Sequence, residues 1–226
     1  MADAPAPDIR DDRPQGGELT LLHTAMVHVP VFDGLRDEDH PGLELRHLVY
    51  PELLGRAQGA GPSGAAEATK TVLGEAVAEG ATAVLCTCST IGAIAEAAGA
   101  ELGVPVLRVD RPMAVAAVAY GPRVVVIAAL ESTVASTTTL LHEEAARAGR
   151  EVSPRIVLLD RAWKLFESGD PVGYHWAVAE AIEAVEDVDA IVLAQASMTP
   201  ATELVPSKIP VLTSPRMGLA AAARLV

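Results

Sequence analysis

Thr82-Ala-Val-Leu-Cys-Thr-Cys-Ser-Thr-Ile-Gly92 decides how this chain folds. A short, unbroken apolar run ends in small polar residues, and a segment of helical period opens at Ile91 and runs to 102. Continuous apolar runs of this length, bounded by turn residues, fit strands buried on both faces, and such strands belong to parallel sheets. Working outward in both directions, the pattern recurs. It predicts strands at 19–23, 43–49, 83–87, 105–109, 123–129, 155–159, 190–194 and 211–213. Between them, Ala- and Glu-rich segments of helical period lie at 65–78, 91–102, 112–120, 134–148 and 172–186. This alternation predicts an α/β fold.

A faint internal repeat divides it. Thr82-Ala-Val-Leu-Cys86 matches Asp189-Ala-Ile-Val-Leu193 in character. Val104-Pro-Val-Leu107, followed by Arg111-Pro-Met113, is echoed by Ile209-Pro-Val-Leu212 and Arg216-Met217 with a one-residue offset. We therefore expect two pseudo-symmetric parallel-sheet α/β halves, 19–112 and 113–214, with a C-terminal helix at 215–226 packing back on the first half. Residues 1–18, rich in Pro, Asp, Gly and Ala without periodicity, are expected to form a disordered tail. The cleft between the two sheets' carboxyl ends is where ligands bind in open α/β folds.

Composition narrows the class. Half of the 226 residues are hydrophobic but only 3% are aromatic, so the core must be built from Ala, Val and Leu. A net charge of -13 argues against nucleic acid and anionic membranes, which reward clustered Lys and Arg. The two cysteines, Cys86 and Cys88, are too close in sequence for an unstrained bridge. The start has no basic and apolar leader, and no apolar stretch reaches membrane-spanning length, so a cytoplasmic protein is expected. There is no phosphate-binding Gly-rich loop, no zinc-ligand spacing, and no motif around Lys70, Lys164 or Lys208. Neither a metal nor a cofactor is expected.

Chemistry centres on Cys88-Ser89-Thr90. A thiol between a strand end and a helix start faces unpaired backbone N–H groups and the positive end of the helix dipole, which favour the thiolate and lower its pKa. The same N–H groups, with the Ser89 and Thr90 hydroxyls, are suited to a substrate carboxylate. Cys86, on the strand itself, reads as a core residue. Gln195 and Ser197 stand at the corresponding strand end of the second half, where Gln hydrogen-bonds but does not exchange a proton at neutral pH. Ser132 and Thr133 open a helix after the strand at 123–129 and suit either an anion or ordinary capping. His23-Thr24 closes the first strand and can face the cleft; Asp110 reads most simply as the cap of the next helix.

With these motifs in order, the chain resembles the aspartate/glutamate/hydantoin racemase superfamily from Leu19 to Leu219. The resemblance rests on Leu22-His-Thr24, Cys88-Ser-Thr90, Pro105-Val-Leu-Arg-Val-Asp-Arg-Pro-Met113, Ala128-Ala-Leu-Glu-Ser-Thr133, Leu193-Ala-Gln-Ala-Ser-Met198 and Pro210-Val-Leu-Thr-Ser-Pro215. It implies two pseudo-symmetric halves, no cofactor, and facing cysteines that exchange a proton at a carbon beside a carboxylate or carbonyl. The family's second motif, often Leu-Gly-Cys, falls on Leu193-Ala194-Gln195, so the second thiol is absent. Two-thiol racemisation then needs a substitute, with His23 a candidate. One thiol is still enough to add to an activated alkene for cis–trans isomerisation, or to protonate an enediolate after decarboxylation. The related arylmalonate decarboxylases keep only the second-motif cysteine, the mirror arrangement.

The expectation is a cofactor-independent racemase or isomerase acting on a small carboxylate substrate: an amino acid, a hydantoin or an unsaturated diacid. Cys88, Gln195 and His23 form its catalytic set; Thr24, Ser89, Thr90, Ser132, Thr133 and Ser197 bind the substrate. A single-thiol decarboxylase or lyase, or a non-catalytic carboxylate-binding protein, is the alternative. A homo-oligomer is expected, with neither nucleic acid nor membrane as partner.

Overall fold

The computed structural model describes residues 18–226. The tail expected at 1–18 lies outside them except for Glu18, which already belongs to the first strand. Two four-stranded parallel sheets carry the fold among the described residues. The first holds β1 (Glu18–His23), β2 (Glu44–Val49), β3 (Val84–Cys86) and β4 (Val106–Arg108) in the order β2-β1-β3-β4. The second holds β5 (Arg123–Ala128), β6 (Ser153–Leu158), β7 (Ala190–Leu193) and β8 (Val211–Leu212) in the order β6-β5-β7-β8. One order, used twice, makes the chain an α/β fold of two similar halves. The central strands β3 and β7 are buried throughout, which is why their sequences read as unbroken apolar runs.

Equivalent backbone hydrogen bonds superpose the halves residue by residue. Thr87 N–H donates to Leu22 O, and Ala194 N–H donates to Ile127 O. Tyr50 N–H donates to His23 O, and Leu159 N–H to Ala128 O. Val84 N–H donates to Pro105 O, and Ile191 N–H to Pro210 O. Thr87 therefore corresponds to Ala194, and the residues that follow, Cys88 and Gln195, to each other. That register makes Cys88, not Cys86, the first-half counterpart of Gln195.

Helices cover both sheets: α1 (His28–Asp39), α2 (Pro51–Ala60), α3 (Ala66–Ala78), α4 (Gly92–Leu102), α5 (Arg111–Tyr120), α6 (Glu131–Ala148), α7 (Asp160–Glu167), α8 (Pro171–Glu183) and α9 (Ser214–Ala222). Periodicity did not point to α1, α2 or α7. In α1, Pro30 breaks the pattern, yet it sits in the first turn, where no intrahelical donor is lost. The helix at α9 buries Leu219 and Ala222 against Leu19, Leu21 and Phe32. It lies so close to β4 that a Cβ at Gly218 would stand 2.6 Å from the Val109 carbonyl oxygen.

No helix among the described residues is long and apolar enough to cross a membrane, and no group of three or more His, Cys, Asp or Glu there is placed to hold a metal ion.

Candidate active site

The turn after β3 and the turn after β7 meet, because the Ser89 hydroxyl donates to the Ala194 carbonyl oxygen at 3.0 Å. Between them opens a cleft lined by Cys88 from the first half and Gln195 from the second. Thr24, Thr87, Ser89, Thr90, Thr133 and Ser197 also line it. Of the residues expected to act together, His23 and Ser132 do not line it.

Cys88 is buried, with 8% of its surface exposed. The Thr24 side chain and the N–H groups of Thr90 and Ile91 bond its sulfur and favour the thiolate. Those N–H groups thus hold the sulfur itself rather than a neighbouring carboxylate. The expected lowering of its pKa is nevertheless reversed. Burial removes the thiolate from water, and this outweighs the hydrogen bonds, so the thiol is pushed up from its ordinary value. Cys86 is fully buried, donates toward the Cys88 carbonyl oxygen at 3.7 Å, and is pushed up by the same desolvation.

Gln195 is fixed by one bond. Its Oε1 accepts from the Ala129 N–H at 2.8 Å. Only the amide oxygen can accept from an N–H, so the orientation of the amide follows, and its NH₂ is left as a donor. That nitrogen is buried without a partner in the cleft wall. The Ser197 hydroxyl, by contrast, is engaged by Tyr174 at 2.9 Å. Thr90 and Thr133, from opposite halves, bring their hydroxyls to 3.4 Å, and Ser132 stands 3.5 Å from Thr90 behind them. Ser132 and Thr133 lie inside the first turn of α6, whose N-cap position is Leu130, so neither caps the helix.

His23 is completely buried and stands behind Thr87 rather than in the cleft. Its Nδ1 lies 2.8 Å from Thr87 Oγ1 and its Nε2 lies 2.8 Å from His47 Nδ1. Thr87 Oγ1 donates its one hydrogen to the Leu22 carbonyl oxygen, so His23 Nδ1 carries the hydrogen in that pair. Burial, then the nearby His28 and His47, lower the His23 pKa to about 3, so it stays neutral. The substitution of His23 for a second thiol is therefore not supported by its position.

Asp110, which the sequence suggests as the cap of the next helix, makes no side-chain cap to α5; instead it clasps Arg108 with bonds of 2.6 and 2.9 Å, both residues wholly inside the protein. Arg108 in turn donates to the Ser89 carbonyl oxygen at 3.3 Å and to Ser136 at 2.9 Å, bracing the thiol's turn from behind.

Sequence reasoning missed His28, Trp163 and Phe166, which line the cleft from α1 and α7. No motif surrounds them. The signal available was only that three large, chemically distinctive side chains occur in a chain with few aromatics.

The Asp/Glu/Hydantoin racemase family model matches residues 24–222. No curated protein matches the chain. Among solved structures, Picrophilus torridus aspartate racemase is 15% identical, with 92% of this chain and 93% of that one covered and a TM-score of 0.67. Glutamate racemase from Aquifex pyrophilus is 13% identical, covering 93% of this chain and 84% of that one, with a TM-score of 0.65. The Gly74Cys mutant of arylmalonate decarboxylase, in its sulfate-associated form, is 19% identical over 92% of this chain and 93% of that one, with a TM-score of 0.58. At these identities the structures share the fold.

Proposed function

The chain belongs to the Asp/Glu/hydantoin racemase family, and from that premise we propose that it is a cofactor-independent isomerase acting at the carbon beside a carbonyl or carboxylate through a single thiol, Cys88. The observation that carries this reading is the pairing of Cys88 with Gln195 at equivalent turns facing one cleft. Cys88, resting as the thiol, gives its proton to the carbon and is left as the thiolate. Gln195 cannot exchange a proton, but its free NH₂ donates to the oxygen that gains charge as the carbon is deprotonated. Cys88 cycles between thiol and thiolate from a thiol resting state, because its burial favours the neutral form.

The walls also bear on the substrate. Leu54, Leu130, Trp163 and Phe166 form an apolar side, and no Asp, Glu, Lys or Arg is among the described residues lining the cleft. An α-ammonium finds no carboxylate there, and a second carboxylate finds no cation. A hydantoin with an apolar substituent, or a monocarboxylate of similar shape, fits better than aspartate, glutamate or an unsaturated diacid.

The test is deuterium uptake at that carbon in deuterated water, across amino acids, hydantoins and unsaturated diacids. Uptake by substituted hydantoins with racemisation in the wild type, the racemisation being lost in Cys88→Ala, is the expected result. Racemisation that survives Cys88→Ala removes the thiol from the mechanism. The single thiol also supports a second reading, decarboxylation of a malonate-type acid, which carbon dioxide release would distinguish.

A further inference from the structure

Resting on the reading of this cleft as a site of proton transfer, we infer that His28 is a catalytic residue, the acceptor of the substrate's carbon-bound proton where a second thiol is missing. His28 opens α1 and its ring lines the cleft. Its Nδ1 is buried without a hydrogen-bond partner. The neighbouring His23, at 6.2 Å between ring centroids, has both nitrogens engaged. A buried ring nitrogen left open is costly unless a ligand supplies the missing partner.

Among the described residues lining the cleft, His28 and Cys88 are the two whose side chains can exchange a proton with substrate. Burial disfavours the charged imidazole and lowers its pKa to about 4, so the ring is neutral at neutral pH and keeps a free lone pair. Burial holds Cys88 as the thiol. The resting site thus offers a neutral base and a neutral acid.

The step balances without a further reagent. The carbon–hydrogen bond beside the carbonyl breaks, its electron pair passes into the carbonyl as an enolate, and the proton bonds to His28. The Gln195 NH₂ donates to the enolate oxygen. The Cys88 sulfur–hydrogen bond then breaks and its proton bonds to the carbon. An imidazolium and a thiolate remain, each lowering the cost of the other's charge. Return of the proton from His28 to Cys88, directly or through water, restores the start.

The experiment measures deuterium incorporation into benzylhydantoin by the wild-type protein, His28→Gln and His28→Ala. Both variants should lose about 100-fold or more of the exchange rate, the scale of a general acid–base group. Imidazole in the buffer should restore exchange to His28→Ala, whose vacated space admits it, and not to His28→Gln. Undiminished exchange in either variant, or a loss in His28→Ala that imidazole leaves unchanged, overturns the assignment while leaving the reading of the site intact. Absence of exchange in the wild type fails both together. Independently of turnover, benzylhydantoin should shift the His28 ring-nitrogen resonance and leave that of the exposed His142 in place; an unmoved His28 resonance at saturation removes the contact.

Discussion

Replacing Asp110 by Ala tests whether the thiol's turn is braced by a buried ion pair. Arg108 and Asp110 are 1% and 0% exposed, joined by two bonds of 2.6 and 2.9 Å. Burial alone would lower the Arg108 pKa; the Asp110 charge and hydrogen bonds reverse that, so the guanidinium stays charged inside the protein. Asp110→Ala leaves that charge unpaired, and breaking a buried pair from one side costs about 3–5 kcal/mol. Against a total stability of about 5–15 kcal/mol, this is a large fraction. For a chain of this length it lowers Tm by about 6–20 °C. Arg123→Ala serves as the control, because Arg123 is 61% exposed and solvent screens its pair with Asp189, so its loss should leave stability nearly unchanged. Removing both buried partners as Arg108→Met with Asp110→Leu should cost less than the sum of the single changes, with a coupling of about 0.5–3 kcal/mol. Urea unfolding followed by tryptophan fluorescence measures these proteins together with the single variants Arg108→Met and Asp110→Leu. The local effect is read by iodoacetamide labelling of Cys88, which should quicken as Ser89 loses its anchored partner. A loss below about 1 kcal/mol in Asp110→Ala, the scale of an exposed pair, would refute the argument that this charge cluster is structural.

Two more outcomes follow from burial. His23 and His28 have pKa values lowered to about 3 and about 4, so the unfolded chain takes up protons below pH 6.5 while the folded one does not. Stability is therefore full above that value and falls as pH drops, by about 4 kcal/mol between pH 7 and pH 5 for the two together. Urea midpoints across that range should show the slope, and His28→Gln should roughly halve its histidine part; an unchanged slope would mean the ring is solvated. Both thiols are pushed up by desolvation, so labelling of the folded protein near neutral pH should be slow compared with the unfolded chain, rising with pH, with Cys88 in the cleft labelled ahead of Cys86 in the core. Equal rates at the two cysteines in the folded state would place Cys88 in the core as well.

Much of the fold was legible because parallel strands leave a direct trace in the chain. Val84–Cys86 and Ala190–Leu193 are covered on both faces, so every residue in them is apolar. The echo between 82–86 and 189–193 then marked the equivalent strands of two halves. Elements with weaker traces were lost. Pro30 hid α1, and eight residues of α7 are too few to set a period.

The α/β alternation, the two similar halves, the thiol at a strand exit and the glutamine at the matching strand end can be read from the chain alone. These depend on residue type and on neighbours along the chain. Tertiary structure alone decided which groups face the cleft and in what protonation state. It put His28 in the cleft and His23 behind Thr87, although both follow from one strand end. It fixed the Gln195 amide through Ala129, 66 residues away, and left the NH₂ buried without a partner. It also reversed the Cys88 pKa, which the helix start would lower but burial raises. The physical reason is common to all three: hydration is lost to residues distant in sequence, and a side chain's charge and hydrogen bonding are set by what replaces its water.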